Sequence, residues 1–154
     1  MTTEIKHDIE DEALARQRLR LWLQMLKAVR YVEGTLRERL RSGYDTTLPR
    51  FDVLAALHAK QEGMKMSELS QHLVVSNGNV TGVVDRLVTE GLAERENMPT
   101  DRRAFLVRIT DKGRKLMDEM AAEHMRWIDE MFEDVSEADA ARGISIMLDI
   151  RQKS

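Results

Sequence analysis

Asn77, Asn79 and Thr81 lie close together in the chain and carry the short donor and acceptor groups that can read base edges. An amide offers both donors and an acceptor, and a threonine hydroxyl offers both functions at short reach. Ser76 precedes them as the predicted N-cap of a helix, its hydroxyl placed to accept from first-turn amides. Along that helix Val80, Val83, Val84 and Leu87 recur on one side at spacings of three and four. Asn77, Gly78, Thr81, Gly82 and Asp85 fall on the other. An ordinary solvent-facing helix carries Lys, Glu and Gln, and each interior glycine costs roughly 1 kcal/mol against alanine. A face of glycine, asparagine and threonine gives up helix stability for close approach. That combination fits a helix whose N-terminal residues enter a DNA major groove. The bland alternative is a loose surface helix that is merely small and polar.

The elements that would hold such a helix can be read on both sides of it. Upstream, Leu69 and Leu73 stand four apart in a short helical run, with Ser67 as its predicted N-cap. Ser67, His72 and Arg86 are placed to touch the phosphate backbone or to buttress the reading helix. Downstream, Gly91 marks the helix stop. Two short strands follow, Leu92–Glu96 and Ala104–Thr110, the second alternating at Phe105, Val107 and Ile109. Pro99 lies in the loop between them, and the hairpin reads as a wing whose tip carries Arg102 and Arg103. Arginines on a narrow loop suit the minor groove, where the negative potential is strongest. Asp101 is expected to hold one of these arginines from within the protein.

Val75-Ser76-x-x-x-Val80-Thr81, Asp85-Arg86-Leu87, Glu90-Gly91-Leu92-x-x-Arg95, Asp101-Arg102-Arg103 and Ile109-Thr110-x-x-Gly113 together resemble the MarR family of winged-helix transcriptional regulators. The resemblance runs over nearly the whole chain. It implies a mainly α fold with a small β-wing: a winged helix-turn-helix with long N- and C-terminal dimerisation helices. On this reading residues 1–154 form a single domain, with dimerisation helices over 10–45 and 111–154 and a DNA-binding lobe over 48–110. The implied function is a ligand-responsive homodimer, a repressor that binds a pseudo-palindromic double-stranded DNA operator and is released by a small effector.

The rest of the sequence is consistent with this. From about Asp11 to Ser42 an apolar stripe runs through Leu14, Leu21, Met25, Val29, Val32, Leu36 and Leu40, and Gly43 is the predicted stop. A second helix is predicted from Pro49 to about Gln61, buried through Phe51, Leu54, Leu57 and Leu48. Thr110 caps a long helix with Leu116, Met117, Met120, His124, Trp127, Ile128 and Met131 along one side, and Ser136 caps the last. Neither end of the chain can bury its stripe on so small a centre, so a two-fold dimer built from both ends is expected. The net charge is −3, an unusual balance for a DNA binder. Residues 116–154 hold 4 Lys and Arg against 10 Asp and Glu, whereas residues 76–115 hold 8 against 6, so the acidity lies away from the reading helix.

Other chemistry finds little purchase. There is no cysteine, so thiol redox switching and disulfides are excluded. His7, His58, His72 and His124 are not at metal-ligand spacing, and no nucleophile elbow, P-loop or dinucleotide fingerprint occurs. No enzyme, cofactor or metal is expected. No apolar run approaches the roughly 18 residues of a membrane span, and the polar first residues do not read as a signal peptide, so a cytoplasmic protein away from the membrane is expected. The competing class is a winged-helix module that binds another protein and no DNA; it would not need paired arginines at the wing tip.

For the effector, the resemblance implies a cavity between dimer arms and DNA-binding lobe, bordered by the helices that carry Trp22, Met25, Phe51, His124 and Trp127. Aromatic and thioether groups there suit a planar aromatic ligand. Arg37, Arg41 and Arg50 form a basic cluster that could meet phosphate, against the plainer reading of favourable charge at a helix C-terminus. Thr46-Thr47-Leu48-Pro49-Arg50-Phe51-Asp52 with Val75–Gly82 resembles the branch of the family that senses aromatic acyl-coenzyme A thioesters. That resemblance implies an acyl-CoA effector and a role in aromatic compound catabolism.

Overall fold

The chain was described as a computed structural model covering residues 2–73 and 79–152, with side chains from residue 11 onward and that of Arg102 excepted. Helix α1 (Thr2–Tyr44) is 43 residues long, longer at its start than the stripe predicts. It runs straight through Gly43. The stop is Asp45, whose backbone is left-handed at φ 48°, a conformation aspartate tolerates. The Asp45 N–H bonds the Arg41 carbonyl at 3.2 Å, and the Thr46 N–H bonds that of Leu40 at 3.3 Å.

Helix α2 (Leu48–Ala59) starts under the Thr47 cap, which accepts from the Arg50 N–H at 3.4 Å, with Pro49 in its first turn. It ends short of Gln61 and buries Val53 besides the four residues predicted. Gly63, at φ 101°, then turns the chain into a strand the sequence did not announce, β1 (Met64–Lys65). From there α3 (Met66–His72) begins directly, and this removes Ser67 from the cap position: the N-cap is Lys65, and the Glu68 carboxylate reaches back to the Lys65 N–H at 2.9 Å. Helix α4 (Val80–Thr89) follows. Strands β2 (Ala93–Met98) and β3 (Asp101–Ile109) pair antiparallel around a turn at Pro99 and Thr100. The sheet order is β1-β3-β2, with Met64 opposite Val107. Helices α5 (Asp111–Met131) and α6 (Glu137–Arg151) complete the chain.

The core lies under the reading helix. Leu54 and Leu57 of α2, Leu69 of α3, Val84 and Leu87 of α4, Val107 and Ile109 of β3 and Met120 of α5 are all buried. Helix α1 joins this core through Leu36 and Leu40, near its C-terminal end, and α6 buries none of its residues. The apolar stripe farther up α1, including Leu14, Leu21, Trp22 and Val29, stands about half exposed, as do Ile144, Leu148 and Ile150 of α6. Two apolar faces, at opposite ends of the chain, are thus left open to water in the single subunit.

Candidate nucleic-acid interface

Helix α4 divides as its sequence requires. Val84 and Leu87 are buried and Val80 and Val83 half-buried, while Thr81, Gly82, Asp85 and Arg86 face outward. The first-turn residue Thr81 is exposed at the helix N-terminus, the end that meets base edges in helix-turn-helix proteins. Ser76, Asn77 and Gly78 lie outside the described residues, so the cap assigned to Ser76 and the base contact assigned to Asn77 concern residues not described. The cap of α4 is Asn79, whose side-chain oxygen accepts from the Gly82 N–H at 3.0 Å. With that oxygen engaged, what the Asn79 side chain can offer a partner is its amide donors. Sequence reasoning placed Asn79 on the helix; it stands just ahead of it.

The C-terminal end of α4 is closed by Gly91, left-handed at φ 73°, with Leu92 N–H bonding the Leu87 carbonyl at 2.9 Å. This six-residue closure is the Schellman arrangement. It launches the wing at a fixed angle. Thr110 donates its hydroxyl to the Gly91 carbonyl at 2.7 Å and also caps α5, accepting from the Gly113 N–H at 3.1 Å. Helix, wing and α5 therefore meet at one junction.

Ion pairs tie the reading helix to its neighbours. Asp85, outward on α4, is bonded to Arg95 of β2, and that guanidinium lies over the Phe105 ring at 5.0 Å. Arg86 bonds Glu90 at 2.9 Å, and Arg50 at the start of α2 bonds the same carboxylate. Burial and the nearby charge of Arg86 hold the Arg50 pKa below its ordinary value. Arg50 was expected at an effector site; the structure puts it beside the start of α4, in a shallow cleft with Thr47, Asn79, Gly82 and Arg86. Neither pair was legible in the sequence, since partners ten and forty residues apart carry no local signal.

At the wing, Arg102 and Arg103 occupy the first residues of β3 beside the turn, where a loop was expected. Arg103 is exposed. Asp101 accepts from the Arg103 backbone N–H at 2.9 Å. It therefore acts as an internal partner that holds Arg103 through its backbone. Ser67 and His72 are exposed on α3.

A second feature lies on the far side of α2. A cavity of about 540 Å³ opens between α1, α2 and α5, walled by Val32, Leu36 and Leu48, with Glu33, Asp52 and His124 as its polar groups. Of the residues predicted to bind an effector, His124 lines this cavity and Phe51 stacks against the His124 ring at 4.9 Å. Burial holds His124 below the ordinary histidine pKa, so its ring is neutral at physiological pH. Arg37 reaches the cavity only through its 3.0 Å bond to Glu33. Trp127 does not line it: the ring is buried elsewhere, edge-on to Tyr44 and under Arg39 at 5.8 Å. Arg41 is tied to Glu38 at the exposed end of α1, while Trp22 is exposed and Met25 half-buried farther up that helix. The carboxylates Glu33 and Asp52 were not singled out as site residues. The available signal was Asp52 itself, an acidic residue set between the buried Phe51 and Val53.

An outward small-residue helix beside an arginine-bearing hairpin defines a winged helix-turn-helix DNA-binding protein. Residues 46–105 match the MarR family. The HTH-type transcriptional repressor IacR of Pseudomonas putida is 30% identical over 129 residues, spanning 84% of this chain and 74% of that protein. The HTH-type transcriptional regulator MhqR of Bacillus subtilis is 28% identical over 127 residues, spanning 82% and 86%. A MarR family transcriptional regulator from Silicibacter pomeroyi superposes with a TM-score of 0.76 at 29% identity, over 89% of this chain and 94% of that one. Sco3205 of Streptomyces coelicolor, solved in complex with DNA, shares the fold with a TM-score of 0.76 at 20% identity, over 90% and 87%. The chain belongs to the MarR family and is a transcriptional regulator, not an enzyme.

Proposed function

We propose that the protein is a homodimeric repressor that holds a pseudo-palindromic operator and releases it when a small aromatic effector fills the cavity between α1, α2 and α5. The observation that carries the DNA half is the outward face of α4. Thr81 and Gly82 are exposed there over a helix pinned by Val84 and Leu87, with Asn79 at its cap. Asn77, Asn79 and Thr81 supply base contacts, Ser67, His72, Ser76 and Arg86 backbone contacts, and Arg102 or Arg103 the minor-groove contact. The dimer half is supported by the half-exposed apolar faces of α1 and α6. Such a protein works in the cytoplasm beside DNA. A protein-binding module without DNA recognition is not favoured, because the curated relatives carry the names of transcriptional regulators.

An acyl-coenzyme A effector draws less support. The arginines assigned to its phosphates are tied to Glu33, Glu38 and Glu90, and the polar groups of the cavity include two carboxylates. A free aromatic compound suits the cavity better.

Electrophoretic shift with DNA from the gene's own upstream region tests the reading. A specific complex at low salt, weakened steeply as salt rises, is expected; no shift at low salt overturns it. Asn79→Ser, which keeps a capping oxygen, should chiefly relax sequence preference, whereas Arg102→Ala with Arg103→Ala should weaken binding to any duplex. Equal effects of both on random DNA contradict the assigned roles.

A further inference from the structure

Asp52 lines the cavity beside α1 and carries a carboxyl oxygen with nothing to hold it. Asp52 Oδ2 is buried and has no hydrogen-bond partner among the described residues. Its neighbour Glu33 is answered by Arg37 at 3.0 Å. Among the described residues no such cation is paired with Asp52: the arginine nearest in sequence, Arg50, is turned to Glu90 on the other side of α2. The third polar group, His124 on α5, is packed against Phe51 and kept neutral by burial. Asp52 therefore sits on the wall of an apolar cavity of about 540 Å³ as an acceptor awaiting a donor. A buried polar atom left unpaired costs free energy that a ligand can recover by supplying the missing bond.

We propose that Asp52 sets effector specificity, accepting a hydrogen bond from a ring hydroxyl of a neutral aromatic ligand and turning carboxylate-bearing rings away. This rests on the reading of the cavity as the effector site. Three observations converge on that chemistry. The unpaired group is an acceptor, so the ligand must donate. Glu33 and Asp52 together line the cavity, so an anion entering it meets like charge. The remaining walls are apolar, so a neutral hydroxyl enters at less desolvation cost than an ammonium group. The sequence reading, which placed arginines at the effector, points to the opposite charge.

Four related probes separate the possibilities: 4-ethylphenol, 4-ethylanisole (the hydroxyl capped by a methyl group, so without the donor), 4-ethylbenzoate and 4-ethylbenzylamine. Calorimetry on the full-length protein should show 4-ethylphenol binding at least about tenfold more tightly than the anisole and the benzoate, the scale of a hydrogen bond to a charged group. Asp52→Leu should erase that preference while keeping affinity for the anisole. Asp52→Asn, which keeps the shape of the side chain, should narrow the preference and serves if the leucine variant fails to fold. If the phenol, anisole and benzoate bind alike, the cavity is an effector site but Asp52 does not choose the ligand. Tightest binding of the amine overturns the neutral-donor assignment. If none of the four binds, the cavity reading fails with it.

Discussion

At the scale of single residues, Asp52 is held against its own ionisation. Burial first, and the charge of Glu33 second, push its pKa from 3.8 up to about 6. A carboxyl whose folded pKa lies above its unfolded value contributes stability that is fully present below the unfolded value. That contribution is lost as pH rises through the folded one. Near pH 7.5 the ionised side chain is therefore a burden, and asparagine, which cannot ionise, should relieve it. Each pKa unit is about 1.4 kcal/mol, and screening on the cavity's open side reduces the sum. Asp52→Asn should stabilise by on the order of 1–2 kcal/mol at pH 7.5 and by almost nothing below pH 4. Thermal melts across that range check it. A variant that gains nothing at pH 7.5, or gains equally at pH 4, shows that the ionised carboxylate is not the burden. A residue that costs the free protein stability at its working pH is easier to understand as part of a binding site than of the core.

At the scale of elements, glycine plays opposite parts at two positions. Gly113 opens α5 against the backbone of the wing junction, and a Cβ there would lie 2.1 Å from the Leu92 carbonyl oxygen and 2.8 Å from Ile109 Cγ1. Neither atom is the end of a flexible side chain, so Gly113→Ala should cost about 1–3 kcal/mol or more as overpacking does, read as a lower midpoint in chemical denaturation. Gly82 is different. The atoms nearest to a Cβ there belong to the Asn79 side-chain amide, at 3.0 Å from Nδ2, and a side-chain amide can shift by a few tenths of an ångström. Gly82→Ala should shift stability by no more than about 1 kcal/mol, helix propensity offsetting strain on the Asn79 cap, yet weaken operator binding by about tenfold or more through lost approach to the base edges. An alanine variant that binds the operator as well as the parent would remove the reason for the glycine. These two sites also show what the sequence could and could not tell. The inward and outward faces of α4, the Gly91 stop and the Thr110 and Ser136 caps follow from spacing and local chemistry, and all are present. The Ser67 cap failed because β1 pairs with β3 forty residues away and carries Lys65 into the cap position. The Gly43 stop failed because the chain turns two residues later at Asp45. The Asp85–Arg95 and Arg50–Glu90 pairs, which orient the reading helix, and the orphaned acceptor of Asp52 exist only once the chain has folded.

At the scale of the whole molecule, the apolar faces left open on α1 and α6 bear on how DNA is held. A subunit bearing one reading helix gains little affinity from one half-site, while two reading helices about one helical turn apart, roughly 34–36 Å, bind together. In the proposed two-fold arrangement the dimer would serve as the spacer, and an effector that favours another spacing would shift the population away from the DNA-competent form. Ile144 is 62% and Leu148 47% exposed, one turn apart on α6, a helix with no buried residue in the single chain. Replacing both by glutamate should leave the helical circular dichroism intact, because neither side chain supports the subunit core, and should give a monomer by light scattering. Affinity for the full operator should then fall by about a hundredfold, the scale of avidity lost when two sites are uncoupled. The slope of log affinity against log salt should fall to about half, since half as many phosphates are neutralised. The slope is the sharper readout, because misfolding would abolish binding rather than halve its salt dependence. A variant that stays dimeric moves the interface off α6. A true monomer that keeps the full slope would mean that one subunit carries the whole footprint, and the two-fold arrangement would have to be abandoned.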